Sequence, residues 1–319
     1  MTPERRATLW LLSMCTIWGS SFWTMKAGQE PLAEALGSRA AAPAFLLLRF
    51  LVAAALFPLI FPGAVRGLTR STVAAGMLLS LPFGVGFYLQ VKGLQDTSAT
   101  ISAFLTNLTV VLTPVLGRLF FRESLRWPNV AGAAIALAGV YVLTDPRGGA
   151  FGMGEILTAV SALAWAFQIQ MTNLVTRKHR PESVTFVMFV MAVIFFGITL
   201  CLLGTDWRAL GRSCLVPRVA WTVVFTATVC SIAAITIMNR FQRDLPPTRA
   251  SVIYTLEPVF AAAFAAWGGE AMTLRKLLGG AIIVGGNLVC ELFQSRVASP
   301  ESRAQVPEPT RDPGLGTRD

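Results

Sequence analysis

The sequence predicts an all-α integral membrane protein of ten transmembrane helices, arranged as two inverted-topology repeats of five helices each. Three observations predict this fold. Of the 319 residues, 54% are hydrophobic and only 14% are charged, whereas a soluble chain carries about a quarter charged residues. The apolar residues gather in ten long runs, and a helix needs roughly 20 apolar residues to cross a bilayer. The second half of the chain also repeats features of the first at a constant spacing.

The ten apolar runs are separated by short connections that are rich in arginine, glycine and proline. Backbone groups inside a bilayer must hydrogen-bond internally, so runs of this length select helices. The approximate bounds of the runs are 8–28, 40–61, 71–91, 97–120, 128–144, 153–175, 183–203, 217–238, 247–268 and 275–293. The polar, proline-rich remainder is expected to be a disordered tail.

The internal repeat has an offset of 147 residues without gaps. It superposes Trp18 on Trp165, Glu123 on Glu270, Gly132 on Gly279 and Gly139 on Gly286. We therefore expect a first five-helix repeat over 1–147, a second over 148–294 and a disordered cytoplasmic tail over 295–319. Because five is odd, the second copy enters the membrane from the opposite side. Many secondary transporters have this architecture, with the substrate site near the midplane between the copies. The four superposed glycines are predicted to form helix-packing surfaces.

Lysine and arginine in the loops predict the orientation, because they favour the cytoplasmic side of a membrane. If the amino terminus is cytoplasmic, most of the loop arginines fall on that side, and both termini are then inside. The formal net charge of +10 is interpreted as this orientation signal, and no nucleic-acid partner is expected. The predicted location is a membrane that the chain crosses many times.

Two segments resemble a known family. They are WGSSFWTMKAG, residues 18–28, and LEPVFAAAFAAWGGEAMTLRKLLGGAIIVGG, residues 256–286. Together with the ten-span repeated layout, they resemble the drug/metabolite transporter superfamily and its EamA-type bacterial members. The resemblance implies a secondary transporter or facilitator of a bacterial inner membrane, which exports small organic solutes, such as amino acids, metabolites or drugs, by alternating access. One departure concerns the proline of the fourth span, since Pro114 is three residues out of register with Pro258.

The first span carries polar side chains within an apolar run. On a 3.6-residue period Trp18, Ser21, Phe22 and Met25 share one helix face. Polar side chains in a span usually face the bundle interior or a water-filled cavity, so we expect this face to line the central pathway.

The equivalent helix of the second copy carries Trp165, Gln168, Gln170 and Asn173. Trp165 lies near the middle of its run, whereas tryptophans that anchor a span at the interface lie near its ends. Two readings of Trp18 and Trp165 remain open, namely cavity lining and helix packing.

Glu257 is the most informative single position. It lies about ten residues into its span, directly before Pro258, where an acidic side chain costs on the order of 2.5–3.5 kcal/mol. Proline disfavours helical geometry in the preceding residue, so a local helix break is expected here. The carboxylate then either contacts a solute amine, carries a proton, or serves as a structural partner for Arg49 or for hydroxyls such as that of Thr255. Tyr254 and Asn107, its equivalent in the first copy, are candidate hydrogen-bonding groups on the same face.

Other polar residues have structural interpretations. Arg49, inside the second span, is expected to pair with an acid or to reach the lipid headgroups. Glu123 and Glu270 are expected to fix helix corners by accepting hydrogen bonds from the free N–H groups of the next helix. Gln90 and Lys92 are candidates for an outer gate.

Several functions are disfavoured by missing motifs. The sequence has no GxxxxGK[ST] motif for ATP and no ligand spacing for a metal, so we expect neither cofactor nor metal. An intramembrane enzyme acting on a lipid-linked substrate stays open as the alternative, with Glu257 and Tyr254 or Lys92 as an acid/base set. A membrane scaffold is the third reading. The expected partners are a small-molecule substrate and the lipid bilayer, with proton coupling left open and no oligomer required.

Overall fold

The computed structural model describes residues 2–121, 127–144, 152–176, 178–241 and 253–297, and within these ranges it is helical without strands. A π-helical segment, Thr226–Ala233, continues directly from α11 into α12. The α-helices are α1 (Pro3–Leu36), α2 (Ser38–Ile60), α3 (Pro62–Arg66), α4 (Arg70–Asp96), α5 (Ala99–Thr106), α6 (Thr109–Phe121), α7 (Trp127–Thr144), α8 (Met153–Thr176), α9 (Pro181–Leu202), α10 (Trp207–Ser213), α11 (Pro217–Phe225), α12 (Ala234–Phe241), α13 (Glu257–Trp267) and α14 (Leu274–Val297).

Six helical segments of the described residues are long and apolar enough to cross a membrane. They are Ser38–Ile60, Arg70–Asp96, Ala99–Phe120, Trp127–Thr144, Pro181–Leu202 and Pro217–Met238. Each coincides with a predicted run. Helices α1, α8, α13 and α14 overlie the other four runs, so the count of ten spans stays a prediction. The chain is an all-helical, multi-pass membrane protein.

Helix packing relates the two halves of the chain symmetrically. Helix α1 packs against α13, and its counterpart α8 packs against α5 and α6. In the same way α4 packs along α8, while α11 and α12 pack along α1. Helix α2 packs against α9, and α7 packs against α14. Each of these named contacts therefore has a matching contact in the other copy, as expected of two related five-helix units.

The predicted glycine surfaces form the contact between α7 and α14. A Cβ atom built on Gly132 would lie 2.6 Å from the carbonyl oxygen of Gly286, and one on Gly139 would lie 2.9 Å from that of Gly279. Ala136, which is fully buried, lies against Gly286 in the same contact. The packing role predicted for these glycines is confirmed, because only glycine lets the two backbones approach so closely.

We expect Gly286→Ala to destabilise the protein by about 1–3 kcal/mol, the usual cost of overpacking a tight interface. The neighbouring Gly285 is the matched control, because a Cβ there meets nothing within 4 Å. Gly285→Ala should be neutral or slightly stabilising, since alanine is the better helix former. Melting temperatures of the two variants in detergent check the prediction, and equal losses in both would contradict it.

Glu270 lies in the connection between α13 and α14. Its carboxylate accepts hydrogen bonds from the backbone N–H groups of Ala99 at 2.9 Å and Thr100 at 3.4 Å, and from Lys276 Nζ at 2.9 Å. The prediction that it binds free helix N–H groups is confirmed, but the choice of helix was wrong. The acceptor caps α5 of the first copy rather than the following helix, so Glu270 ties the two copies together.

Glu270 should stabilise the fold in a pH-dependent way. Burial alone would raise its pKa, but hydrogen bonds from Lys276, Thr100 and Ser98 outweigh burial and hold the pKa below 4.5. A carboxyl whose pKa is lower in the folded state stabilises above its unfolded pKa, and this stabilisation is lost as the pH falls through the folded pKa.

We therefore expect Glu270→Gln to lower the free energy of unfolding at pH 7 by about 1–3 kcal/mol. The difference from wild type should shrink as the pH falls below the ordinary carboxyl range. Glu30→Gln is the control, because Glu30 forms an exposed ion pair with Arg218 at 3.0 Å and such pairs contribute about 0–1 kcal/mol. Thermal melts across pH test this, and a pH-independent difference would rule it out.

Two expectations fall partly or wholly outside the described residues. Glu123, the counterpart of Glu270, is one of them. The predicted tail begins at residue 295, whereas α14 continues to Val297 and the rest lies beyond the description.

Candidate functional site

The fourth span of the first copy and its counterpart in the second are both broken helices. The first break lies at Asn107 and Leu108, between α5 and α6, and the second lies at Thr255 and Leu256, before α13. With the offset of 147 residues, the two breaks agree to within one position. Pro114 lies inside α6 and does not break it, so the symmetry survives the shifted proline. At each break a turn hydrogen bond replaces the helical pattern, from the Leu108 N–H to the Leu105 carbonyl at 3.1 Å and from the Leu256 N–H to the Ile253 carbonyl at 3.0 Å.

Asn107 is held at the first break by Asn287 of α14. Asn287 Nδ2 donates to the backbone oxygen of Asn107 at 3.3 Å and also to its side-chain oxygen. Both residues are buried. The sequence predicted Asn107 as a site residue but missed Asn287, because a lone asparagine near the end of a run gives no sign of its partner.

Glu257 is the first residue of α13 and follows the second break directly. A negative side chain is favoured at this position, because the free N–H groups and the helix dipole give a helix N-terminus a partial positive charge. Glu257 is half-buried, and it makes no hydrogen bond or ion pair within the described part of the chain. Its carboxylate thus sits at a half-helix terminus with no fixed counter-charge there.

Trp18 connects α1 to the π-helical segment. Its Nε1 donates to the backbone oxygen of Cys230 at 3.0 Å. Ser21 is buried, and its hydroxyl donates to the Trp18 carbonyl at 2.6 Å. Trp18 and Tyr254 both pack against the same apolar cluster between α1 and α12. The structure therefore brings Trp18 and Tyr254 together on one side of α1, and Tyr254 lies one turn before Glu257.

Trp165 and Gln168 lie on α8, in a different part of the bundle. Trp165 contacts Phe87 edge to face with ring centroids 4.7 Å apart, and Phe83 at 6.0 Å. Its Nε1 is buried and has no hydrogen-bond partner among the described residues. Gln168 donates to Thr172 Oγ1 at 3.3 Å, while its Oε1 is likewise without a described partner. These predicted residues thus present polar atoms that the fold leaves unused.

Arg49 does not behave as expected. It is the middle residue of α2, the twelfth of 23, so it lies about 16 Å from either helix end. Only 3% of its surface is exposed, so the side chain stays inside the bundle and does not reach the lipid headgroups. Its Nε donates to Ser231 Oγ at 3.0 Å and its Nη1 to Met25 Sδ at 3.1 Å. No carboxylate pairs with it in the ranges that the structure covers. The prediction of an acidic partner or a headgroup contact was therefore wrong for the described residues.

The two candidate gate residues tie α4 to its neighbours. Gln90 Nε2 donates to Thr106 Oγ1 at 3.3 Å. Lys92 Nζ donates to the Ser38 carbonyl at 3.2 Å and to the side chain of Gln95. These bonds join α4 to α5 and to the start of α2, and the gate role itself stays a prediction.

A cavity of about 530 Å³ opens at the end of α1, away from the residues above. Gly37, Ser38 and Arg39 line it on one side, and Thr205 and Asp206 on the other. None of the predicted substrate residues contributes to its wall.

Two further parts of this region could not be predicted from the sequence. The π-helical segment exposes the Cys230 carbonyl and the Ser231 hydroxyl, and it has no motif of its own. Phe87 lies under the Arg49 guanidinium, 4.7 Å from its ring centroid. It is an ordinary aromatic residue of an apolar run. π-Helical turns are often found at functional sites, but they are read from structure.

Two broken helices in the two copies, with Glu257 at one break, are features that many membrane transporters for small solutes share. The chain belongs to the EamA-like transporter family of the drug/metabolite transporter superfamily. The family profile matches twice, over residues 5–145 and 152–290.

Individual relatives agree with this family. The chain is 27% identical over 297 residues to a protein named probable amino-acid metabolite efflux pump in Salmonella typhimurium, covering 90% of this chain and 94% of the relative. It is 26% identical over 262 residues to an uncharacterized transporter of Archaeoglobus fulgidus, covering 81% and 76%. One crystal structure of a protein superposes with a TM-score of 0.59 and 23% identity, covering 93% of this chain and 100% of the other. That likeness bears on the fold alone.

Proposed function

We propose that this protein exports small organic solutes that carry an amine, across a bacterial inner membrane and with both termini in the cytoplasm. The two five-helix copies rock against each other, so that a site near the midplane faces each side in turn. The relative named an amino-acid metabolite efflux pump supports the outward direction and the solute class.

Glu257 is the observation that carries this proposal. An ionised carboxylate within a span costs on the order of 2.5–3.5 kcal/mol, and Glu257 has no described side chain to neutralise it. A solute ammonium group or a proton can fill that role. The break at Thr255 and Leu256 places Glu257 in the first turn of α13, where the helix dipole favours a negative side chain.

Efflux from proteoliposomes tests the proposal. The purified protein is reconstituted with a labelled pool of amino acids and related amines, and release is followed with and without an imposed pH gradient. Release above that of protein-free liposomes is expected for at least one amine-bearing solute. If no solute of the pool is released under either condition, the proposal fails.

A further inference from the structure

Arg49 is a buried cation that the described residues do not neutralise. Only 3% of its surface is exposed, and it occupies the middle of α2. Burying a charge without a partner is strongly unfavourable. Its position above the Phe87 ring offsets part of that cost through a cation–π interaction. A ring, a hydroxyl and a thioether are nevertheless poor substitutes for an anion.

The fold itself does not require a cation at this position. With the offset of 147 residues, Arg49 corresponds to Phe196 in the second copy. Phe196 is fully buried and stacks on Phe50 with centroids 6.1 Å apart. An apolar ring therefore satisfies the same position in the sister unit, which argues that the charge of Arg49 has another use.

The Arg49 guanidinium has more N–H donors than the hydrogen bonds that the structure assigns to it. It carries five N–H donors, of which the structure assigns one to Ser231 Oγ and one to Met25 Sδ. A thioether sulfur is a weak acceptor, whereas a carboxylate accepts two parallel hydrogen bonds from a guanidinium. A carboxylate that reached Arg49 would displace the sulfur at little cost.

Trp165 supplies a second unused donor close to the same ring. The centroid of the Phe87 ring lies 4.7 Å from the guanidinium carbon of Arg49 and 4.7 Å from the centroid of the Trp165 indole, which is nearly perpendicular to it. The buried Trp165 Nε1 has no described partner. The two donors belong to different copies of the repeat, on α2 and α8, and both side chains contact Phe87 of α4. In alternating access such copies move against each other.

We propose that Arg49, assisted by Trp165 Nε1, binds the carboxylate of the transported solute. This inference rests on the proposed transport function and narrows its substrates to solutes that carry a carboxylate as well as an amine. Phe83 and Phe87 give this subsite apolar walls, which suit a solute with an apolar side chain. The subsite is buried in this conformation and must open for the solute to enter.

Equilibrium binding in lipid nanodiscs tests the carboxylate preference without any need for transport. The probes are leucine, methionine, phenylalanine and threonine, each beside its amide, which keeps the amine and lacks the carboxylate. Hydrogen bonds to charged groups are worth about 1.5–3 kcal/mol, so the wild type should bind at least one acid about 10- to 100-fold more tightly than its amide. Arg49→Gln should abolish that preference, and Arg49→Lys should retain part of it.

Arg39→Gln is the matched control, because Arg39 begins the same helix and is exposed. It should keep the full preference. The proposal is overturned if no acid outbinds its amide on the wild type, if Arg49→Gln keeps the preference, or if both Arg49 variants fail to fold. The transport proposal fails separately. If the wild type prefers acids to amides but transports no solute, only the transport proposal is contradicted. If it transports solutes without that preference, only the carboxylate subsite is contradicted.

Discussion

Glu257→Gln is expected to abolish efflux driven by a pH gradient, with the rate falling by about tenfold or more. Glutamine has nearly the same shape but can neither carry a proton nor attract an ammonium group. A lost interaction with a charged group costs about 1.5–3 kcal/mol, which corresponds to that range of rates. The measurement is initial efflux from proteoliposomes with the gradient imposed and with it collapsed. Equal protein incorporation and melting temperature show that the fold is intact.

The pattern of loss assigns the role of Glu257. If only the gradient-driven component disappears, the carboxylate carries the proton. If flux is independent of the gradient and merely weakened, the protein is a facilitator and Glu257 binds the solute. Glu34→Gln serves as the control, since Glu34 is exposed near the end of α1 and should leave both components unchanged. Wild-type flux in Glu257→Gln would remove the central argument for the proposed function.

The sequence predicted the features that depend on residues close together in the chain. Apolar runs and their bounds follow from local composition, and the break before Pro258 follows from proline chemistry at one position. The glycine contact between α7 and α14 was predictable because the repeat itself marked those glycines. Each of these features can be recognised from the residues of one helix or from its counterpart in the repeat.

The features that could not be predicted from the sequence depend on which helix packs against a given residue. Glu270 was expected to cap the helix that follows it, and it caps α5 instead, because α5 packs against α13, the helix that precedes Glu270. Arg49 was expected to pair with an acidic side chain, but it donates a hydrogen bond to Ser231 of the π-helical segment. Neither these partners nor the π-helical turn has a local sequence signature. The polar contacts of the site could therefore be recognised only in the folded structure.

Trp18 and Trp165 allow a direct test of how the two copies differ. They are equivalent positions in the repeat, yet Trp18 Nε1 donates to the Cys230 carbonyl at 3.0 Å, whereas Trp165 Nε1 has no described partner. The cause lies in the helices opposite them. Trp18 faces the π-helical segment, whose altered geometry leaves a carbonyl open to the indole. The corresponding stretch of α4, residues 79–86, is regular α-helix.

Replacing each tryptophan with phenylalanine should therefore affect stability and carboxylate binding differently. Trp18→Phe leaves the Cys230 carbonyl without its donor and should destabilise the protein by about 1–3 kcal/mol. Trp165→Phe removes a donor that the fold does not use, so it should cost clearly less stability while weakening carboxylate binding by about tenfold. Both changes shrink an indole to a phenyl ring, so the cost of lost packing is largely shared and cancels in the comparison. Melting temperatures and acid-versus-amide binding for the two variants, measured side by side, decide the matter. Equal destabilisation with unchanged binding would mean that both indoles serve packing, which is the reading that the sequence alone left open.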